Sequence, residues 1–221
     1  MATRERAFIG HSGVELLVVL VGFIGVVGLV AGIAYSINGL THARAGVAVP
    51  VALHAGPGSP EHADLDAGQA PVAVERLPPG AQVTADAEDL TLTAWDSTLP
   101  EQLLGRADSL VLGLGVAAGA FLLVPLLRSV QRGRPFAPGN AARVGGLAVV
   151  VLVVGIGGPF LARIGSAVVL ARLGLSGPGS VLTPAGLPSV LTVLLTAALL
   201  AALAEAFRRG EQLAEDVDGL V

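Results

Sequence analysis

The sequence predicts an all-α integral membrane protein, with four transmembrane helices and a small β-rich extracytoplasmic module between helices 1 and 2. Three observations predict it. The 221-residue chain is 53% apolar and only 14% charged, a balance that the core of a soluble protein this size does not require. Its apolar residues fall in long uncharged blocks instead of the 3.6- or 2-residue rhythm of half-buried elements. One extended polar stretch, 38–108, carries ten acids against three arginines and shows short runs of strand-like alternation.

Four blocks carry the spans. They are "LLVVLVGFIGVVGLVAGIAYSI" (16–37), "SLVLGLGVAAGAFLLVPLL" (109–127), "VGGLAVVVLVVGIGGPFLA" (144–162) and "LPSVLTVLLTAALLAALA" (187–204), the last running on through Phe207. A helix rises about 1.5 Å per residue, so roughly 20 residues cross a hydrocarbon layer of about 30 Å. Within lipid the backbone must satisfy its own hydrogen bonds, which selects helices. The first block is longer than the apolar core of a signal peptide, so it is expected to remain as an anchor.

Arginine placement orients the chain. All 13 basic residues are Arg. Arg4 and Arg6 precede span 1, and Arg128, Arg132, Arg134 and Arg143 lie between spans 2 and 3. Arg208 and Arg209 follow span 4, and the remaining five are spread over the two longer connections. The positive-inside rule puts residues 1–15, the basic loop 128–143 and the tail 208–221 in the cytoplasm. The expected location is the bacterial cytoplasmic membrane, multi-pass, with both termini inside and the lipid bilayer as first partner.

Outside, "GVAVPVALHAG" (46–56), "DLTLTAW" (89–95) and two pieces flanking the Pro-Pro-Gly turn of 70–83 read as strands. About 70 residues without cysteine make a marginal module, which packing on the helices or on a second copy (a homo-oligomer) would support. His54, Glu61, His62, Asp64 and Asp66 are metal-ligand types, but their spacing matches no ligand motif and reads as a solvated acidic loop. Trp95 reads as module core or interfacial anchor. The outer connection 163–186 is expected to extend span 3 and then lie along the membrane surface.

No Asp, Glu, Lys, Arg or His lies within the four blocks as quoted, which argues against a proton-coupled carrier. Gly28/Gly32 and Gly115/Gly119 have the small-residue spacing that lets helix backbones approach. Pro125 and Gly157-Gly158-Pro159 are expected to perturb spans 2 and 3. No GxSxG, HExxH or P-loop pattern occurs; neither an enzyme, a cofactor nor a resident metal is expected.

Two cytoplasmic segments remain. In "SVQRGRPFAPGNAARV" (129–144), Phe136 is expected to pack on the membrane face and Asn140 to cap the third helix by accepting a backbone N–H. The tail is expected to continue helix 4, with a break or bend at Gly210. Its Leu213, Val217 and Leu220 form an apolar stripe among acids, and Glu205 is placed to pair with Arg208 or Arg209. An acidic tail beside a basic loop suggests mutual docking.

"GRPFAPGNAARVGGL" (133–147) resembles the G-x-P-F-x-x-x-N-x-x-x-[L/V] stretch of a family of bacterial four-helix membrane proteins, the domain of unknown function 2975. "LAEAFRRGEQLAEDVDGLV" (203–221) resembles its C-terminal signature. The matching positions are Gly133, Pro135, Phe136, Asn140, Glu205, Phe207, Arg209, Gly210, Leu213, Asp216, Leu220 and Val221. The resemblance implies a membrane partner for a small helix-turn-helix DNA-binding regulator. The expected partner surface is those residues other than Gly133, joined by Arg134, Arg143 and Val217, with no direct contact to nucleic acid. An accessory subunit of a transporter or envelope complex is the alternative.

Overall fold

The computed structural model describes residues 11–41, 46–53, 70–71, 77–86, 89–177, 180–187 and 189–218. Six helices and five strands occur among them: α1 (His11–Thr41), β1 (Val47–Leu53), β2 (Ala70–Pro71), β3 (Ala81–Asp86), β4 (Asp89–Ala94), α2 (Leu99–Leu104), α3 (Ala107–Gln131), α4 (Asn140–Leu152), α5 (Gly158–Arg172), β5 (Leu182–Pro184) and α6 (Val190–Asp218). A single π turn, Val153–Gly157, joins α4 to α5. It ends two residues before Pro159, which lacks an N–H and whose ring crowds the carbonyl four residues back, within the turn; the wider turn accommodates both effects. Four stretches are long and apolar enough to cross a membrane: Ser12–Asn38, Ala107–Gln131, Asn140–Arg172 and Val190–Asp216.

The chain divides into two compact units. The first comprises Met1–Gly32, Leu112–Gly155 and Val190–Val221. Within it each helix packs antiparallel on the next. Along α1 and α3, Gly22 approaches Val124, Gly25 approaches Ala120 and Gly28 approaches Val116. A Cβ on Gly113 would fall 2.6 Å from the Gly28 carbonyl oxygen and 2.9 Å from Gly32 Cα, so the two backbones touch there. The expected Gly28/Gly32 pair is thus a real crossing, and its counterpart is Gly113. Gly115, two residues on and therefore about 200° around the helix, instead meets Val154 of the π turn.

On the other side of the bundle, α4 lies along α6, with Gly145 against Ala204 and Gly155 against Val193. Val144, Ala148 and Ala197 are buried. Large apolar side chains elsewhere point outward, among them Phe23, Phe121, Leu191 and Leu199.

The second unit comprises Ile33–Val111 and Ile156–Ser189. Its antiparallel sheet has the order β2-β3-β4-β1-β5. Val83, Leu92 and Val49 sit in one cross-strand row, and Ala81, Ala94 and Val47 in the next. These inward residues form one core with Val51, Leu182 and, from α5, Val169 and Leu170. Ser166 Oγ donates to the Pro50 carbonyl at 2.7 Å, fastening α5 to β1. Both edge strands are short, and β5 ends in Pro184, which limits pairing with foreign strands.

The four expected strand segments coincide with β1 to β4, but the module is not made of 38–108 alone. Helix α5 continues ten residues past Ala162 to Arg172, and the outer connection then supplies β5 in place of a piece lying along a surface. The reason is burial: the inward valines need an apolar cover, and the free edge of β1 needs a hydrogen-bonding partner. Trp95 is exposed and outside the core.

Candidate functional site

The two signature segments meet inside the first unit. Between α3 and α4 the chain turns through Gly133 (φ 73°) and Gly139 (φ 89°), left-handed conformations that glycine adopts without a Cβ penalty. The Arg134 N–H donates to the Ser129 carbonyl at 3.0 Å and the Ala137 N–H to the Arg134 carbonyl at 3.1 Å, so the loop folds back on the end of α3.

Asn140 locks this shape. It is fully buried. Its Nδ2 donates to Ser129 Oγ at 2.5 Å and to the Pro135 carbonyl at 2.8 Å. Its Oδ1 accepts from Arg143 Nη1 at 2.6 Å. Ser129 Oγ in turn donates to the Leu126 carbonyl at 2.8 Å. The expectation that Asn140 caps the helix is therefore corrected. It is the first residue of α4, the N-cap position is Gly139, and no side chain caps from there. Both ends of the amide are engaged within the loop.

The cap comes from 70 residues away: Glu211 Oε1 of α6 accepts the Ala141 N–H at 2.7 Å. A carboxylate at this end of a helix meets both an orphan donor and the positive end of the macrodipole. No acid of α4's own first turn competes for the position.

Phe136 completes the join. Its ring lies 5.5 Å from that of Phe207, tilted by 58°, a favourable aromatic geometry. It also rests on the backbone of Gly210, where any Cβ would collide with it. Helix α6 runs through Gly210 without a break, and the missing Cβ leaves a notch that admits the ring. Phe136 therefore packs on the tail, not only outward, although it remains partly exposed.

Around this clasp Glu205 pairs with both Arg208 (2.8 Å) and Arg209 (2.9 Å). Arg134, Leu213, Glu215 and Asp216 are exposed. The side chain of Val217, and Leu220 and Val221 altogether, lie outside the described residues. Pro135, Phe136, Asn140, Arg143, Phe207 and Gly210 are thus brought together. Ser129 was missed by the sequence reading, and Glu211 was read only as one of the acids of a tail expected to dock on the loop. No local signal pairs Glu211 with Ala141, 70 positions away along the chain.

The second unit holds another polar cluster. Glu101 is almost completely buried and accepts Arg172 Nε at 2.6 Å and the Thr98 N–H at 2.7 Å. Arg106 stacks over the Tyr35 ring, 5.2 Å from its centroid. Among the described residues, no three His, Cys, Asp or Glu converge on a common point; His54, Glu61, His62, Asp64 and Asp66 lie outside them.

No protein-family model matches this chain, and no curated protein or solved structure is significantly similar to it.

Proposed function

We propose that the chain is a multi-pass protein of the bacterial cytoplasmic membrane, related to the domain of unknown function 2975 family, which uses its cytoplasmic loop and tail to hold a small helix-turn-helix transcription regulator. Four helices of spanning length with large apolar side chains turned outward support the membrane reading. Each such side chain left in water forgoes roughly 1.5–3 kcal/mol relative to full burial. The orientation rests on the concentration of arginines near the clasp.

The observation that carries the regulator reading is the fit of Phe136 into the Gly210 notch of α6. Through it, two segments that resemble the family's signatures form one continuous surface. Its outer part presents Arg134, Arg208, Leu213, Glu215 and Asp216, a mixed rim around an apolar point suited to a small protein. A pull-down of the tagged, solubilised protein is expected to recover a small DNA-binding protein. Recovery unaffected by Phe136→Ala together with Leu213→Asp would remove this surface from consideration.

One observation favours a second reading, in which the clasp only closes the bundle of an accessory subunit. Asn140 is wholly buried and Glu211 is occupied by Ala141, so the most distinctive residues face inward. Co-purification with a permease, and no regulator, would favour it.

A further inference from the structure

An open groove of about 650 Å³ runs along the packed α1–α3 pair, within the range of small-molecule sites. Its floor is small: Gly22, Gly25, Ala117 and Ala118. Phe121, highly exposed, is among the larger side chains lining it. The single charged residue that lines it is Arg128, at one end.

Length and charge identify the occupant. From Ala117 to Arg128 the helix advances about 16 Å, half of a hydrocarbon layer of about 30 Å. Ala117 stands near the centre of the span 109–127 and Arg128 just past its end, so the groove covers one leaflet and ends at head-group depth. Among the described residues, no hydrogen bond or ion pair engages the Arg128 guanidinium. Arg132 follows one turn later and is likewise exposed and unpaired. The one acid of α1, Glu15, is not among the lining residues. A guanidinium presents several donors in a fork matched to phosphate oxygens.

We infer that this groove binds one anionic phospholipid, its acyl chain lying along Gly22, Gly25, Ala118 and Phe121 and its phosphate held by Arg128. The proposal rests on insertion of the chain in a bilayer but is independent of the regulator: lipid binding and regulator recovery are read separately.

The test is native mass spectrometry of the full-length protein in detergent, titrated with dioleoylphosphatidylglycerol or dioleoylphosphatidylcholine. The anionic lipid is expected to remain bound preferentially. Arg128→Gln should weaken its retention about fivefold, the worth of one basic residue at a membrane surface. Ala118→Phe, which fills the groove, should abolish retention while the circular dichroism spectrum stays unchanged. If that variant misfolds, Val26→Phe on the facing helix reads the same arm. Equal retention of both lipids overturns the proposal. So does anionic lipid still held by the filled groove, which would mean head-group attraction alone. Dissociation of a dimer by Ala118→Phe, with lipid binding unchanged, also overturns it and assigns the groove to a second copy of the chain.

Discussion

The ring of Phe136 fills the space in which any residue larger than glycine at position 210 would carry its side chain: a Cβ there would fall 2.6 Å from Phe136 Cε1 and 2.9 Å from its Cγ. A loop that follows α3 is thereby fitted to a helix whose residue 210 lies some 70 positions further along the chain.

Gly210→Leu must evict the ring. Overpacking of this kind costs about 1–3 kcal/mol, and the Phe136–Phe207 contact would be lost with it. A lower melting temperature in detergent and faster tryptic cleavage after Arg132, in the Arg132–Gly133 bond, are the expected results. Unchanged cleavage would mean that the loop does not depend on the notch.

Asn140→Ala leaves the buried Ser129 hydroxyl, the Pro135 carbonyl and an Arg143 donor without their amide partner. An unsatisfied buried polar group costs about 1–3 kcal/mol. The loss should appear in thermal unfolding, and Asn140→Asp should not restore it, because a carboxylate cannot donate to Pro135.

Glu211 acts as a cap supplied from another helix, so the acceptor oxygen matters more than the charge. Glu211→Ala is expected to cost about 0.5–2 kcal/mol, the usual worth of an N-cap. Glu211→Gln should retain most of the stability. Faster amide exchange at Ala141 in the alanine variant alone is the direct signature.

In the second unit the Glu101–Arg172 pair is asymmetric, with side-chain exposures of 1% and 30%. Removing the arginine strands a buried carboxylate, for which about 3–5 kcal/mol is typical. Glu101→Gln leaves an amide oxygen for the Thr98 N–H and lets Arg172 turn to water. Arg172→Ala should therefore destabilise more than Glu101→Gln; the reverse order in melting experiments would mean that the pair is not isolated from solvent.

Reporter fusions after residue 135 and after residue 218 are expected to lie on one side of the membrane, and an insertion between Asp86 and Asp89 on the other. Opposite sides for the first two would contradict the joining of loop and tail.

Much of the architecture was legible because it follows from local pattern. Uncharged blocks of about 20 residues marked the four long helices, and period-two alternation marked β1 and β4. The Pro-Pro-Gly turn separated β2 from β3. The spacing of Glu205 to Arg208 and Arg209 gave an ion-pair cluster that the helix geometry provides. The Gly28/Gly32 motif marked a helix crossing, but its counterpart Gly113, four residues from Ser109 and from Ala117, was not singled out. What escaped was long-range. Nothing near Leu182 announces a strand, because its only partner is β1, and nothing near Glu211 announces a cap for Ala141. Glu101 and Arg172 read as ordinary outer charges until α2 and α5 are packed together.

By itself, then, the sequence determined the four long helices, the strands β1 to β4 and the segments too apolar for water, since backbone hydrogen bonding and side-chain transfer are properties of each segment alone. Only the tertiary structure decided that Asn140 is a buried lock and not a cap, that Gly210 is a notch for Phe136, and that the sheet is completed by a strand from the far connection. Those outcomes depend on which buried polar groups find partners and which apolar faces find cover. Such partners are chosen in three dimensions, among residues that share no local pattern.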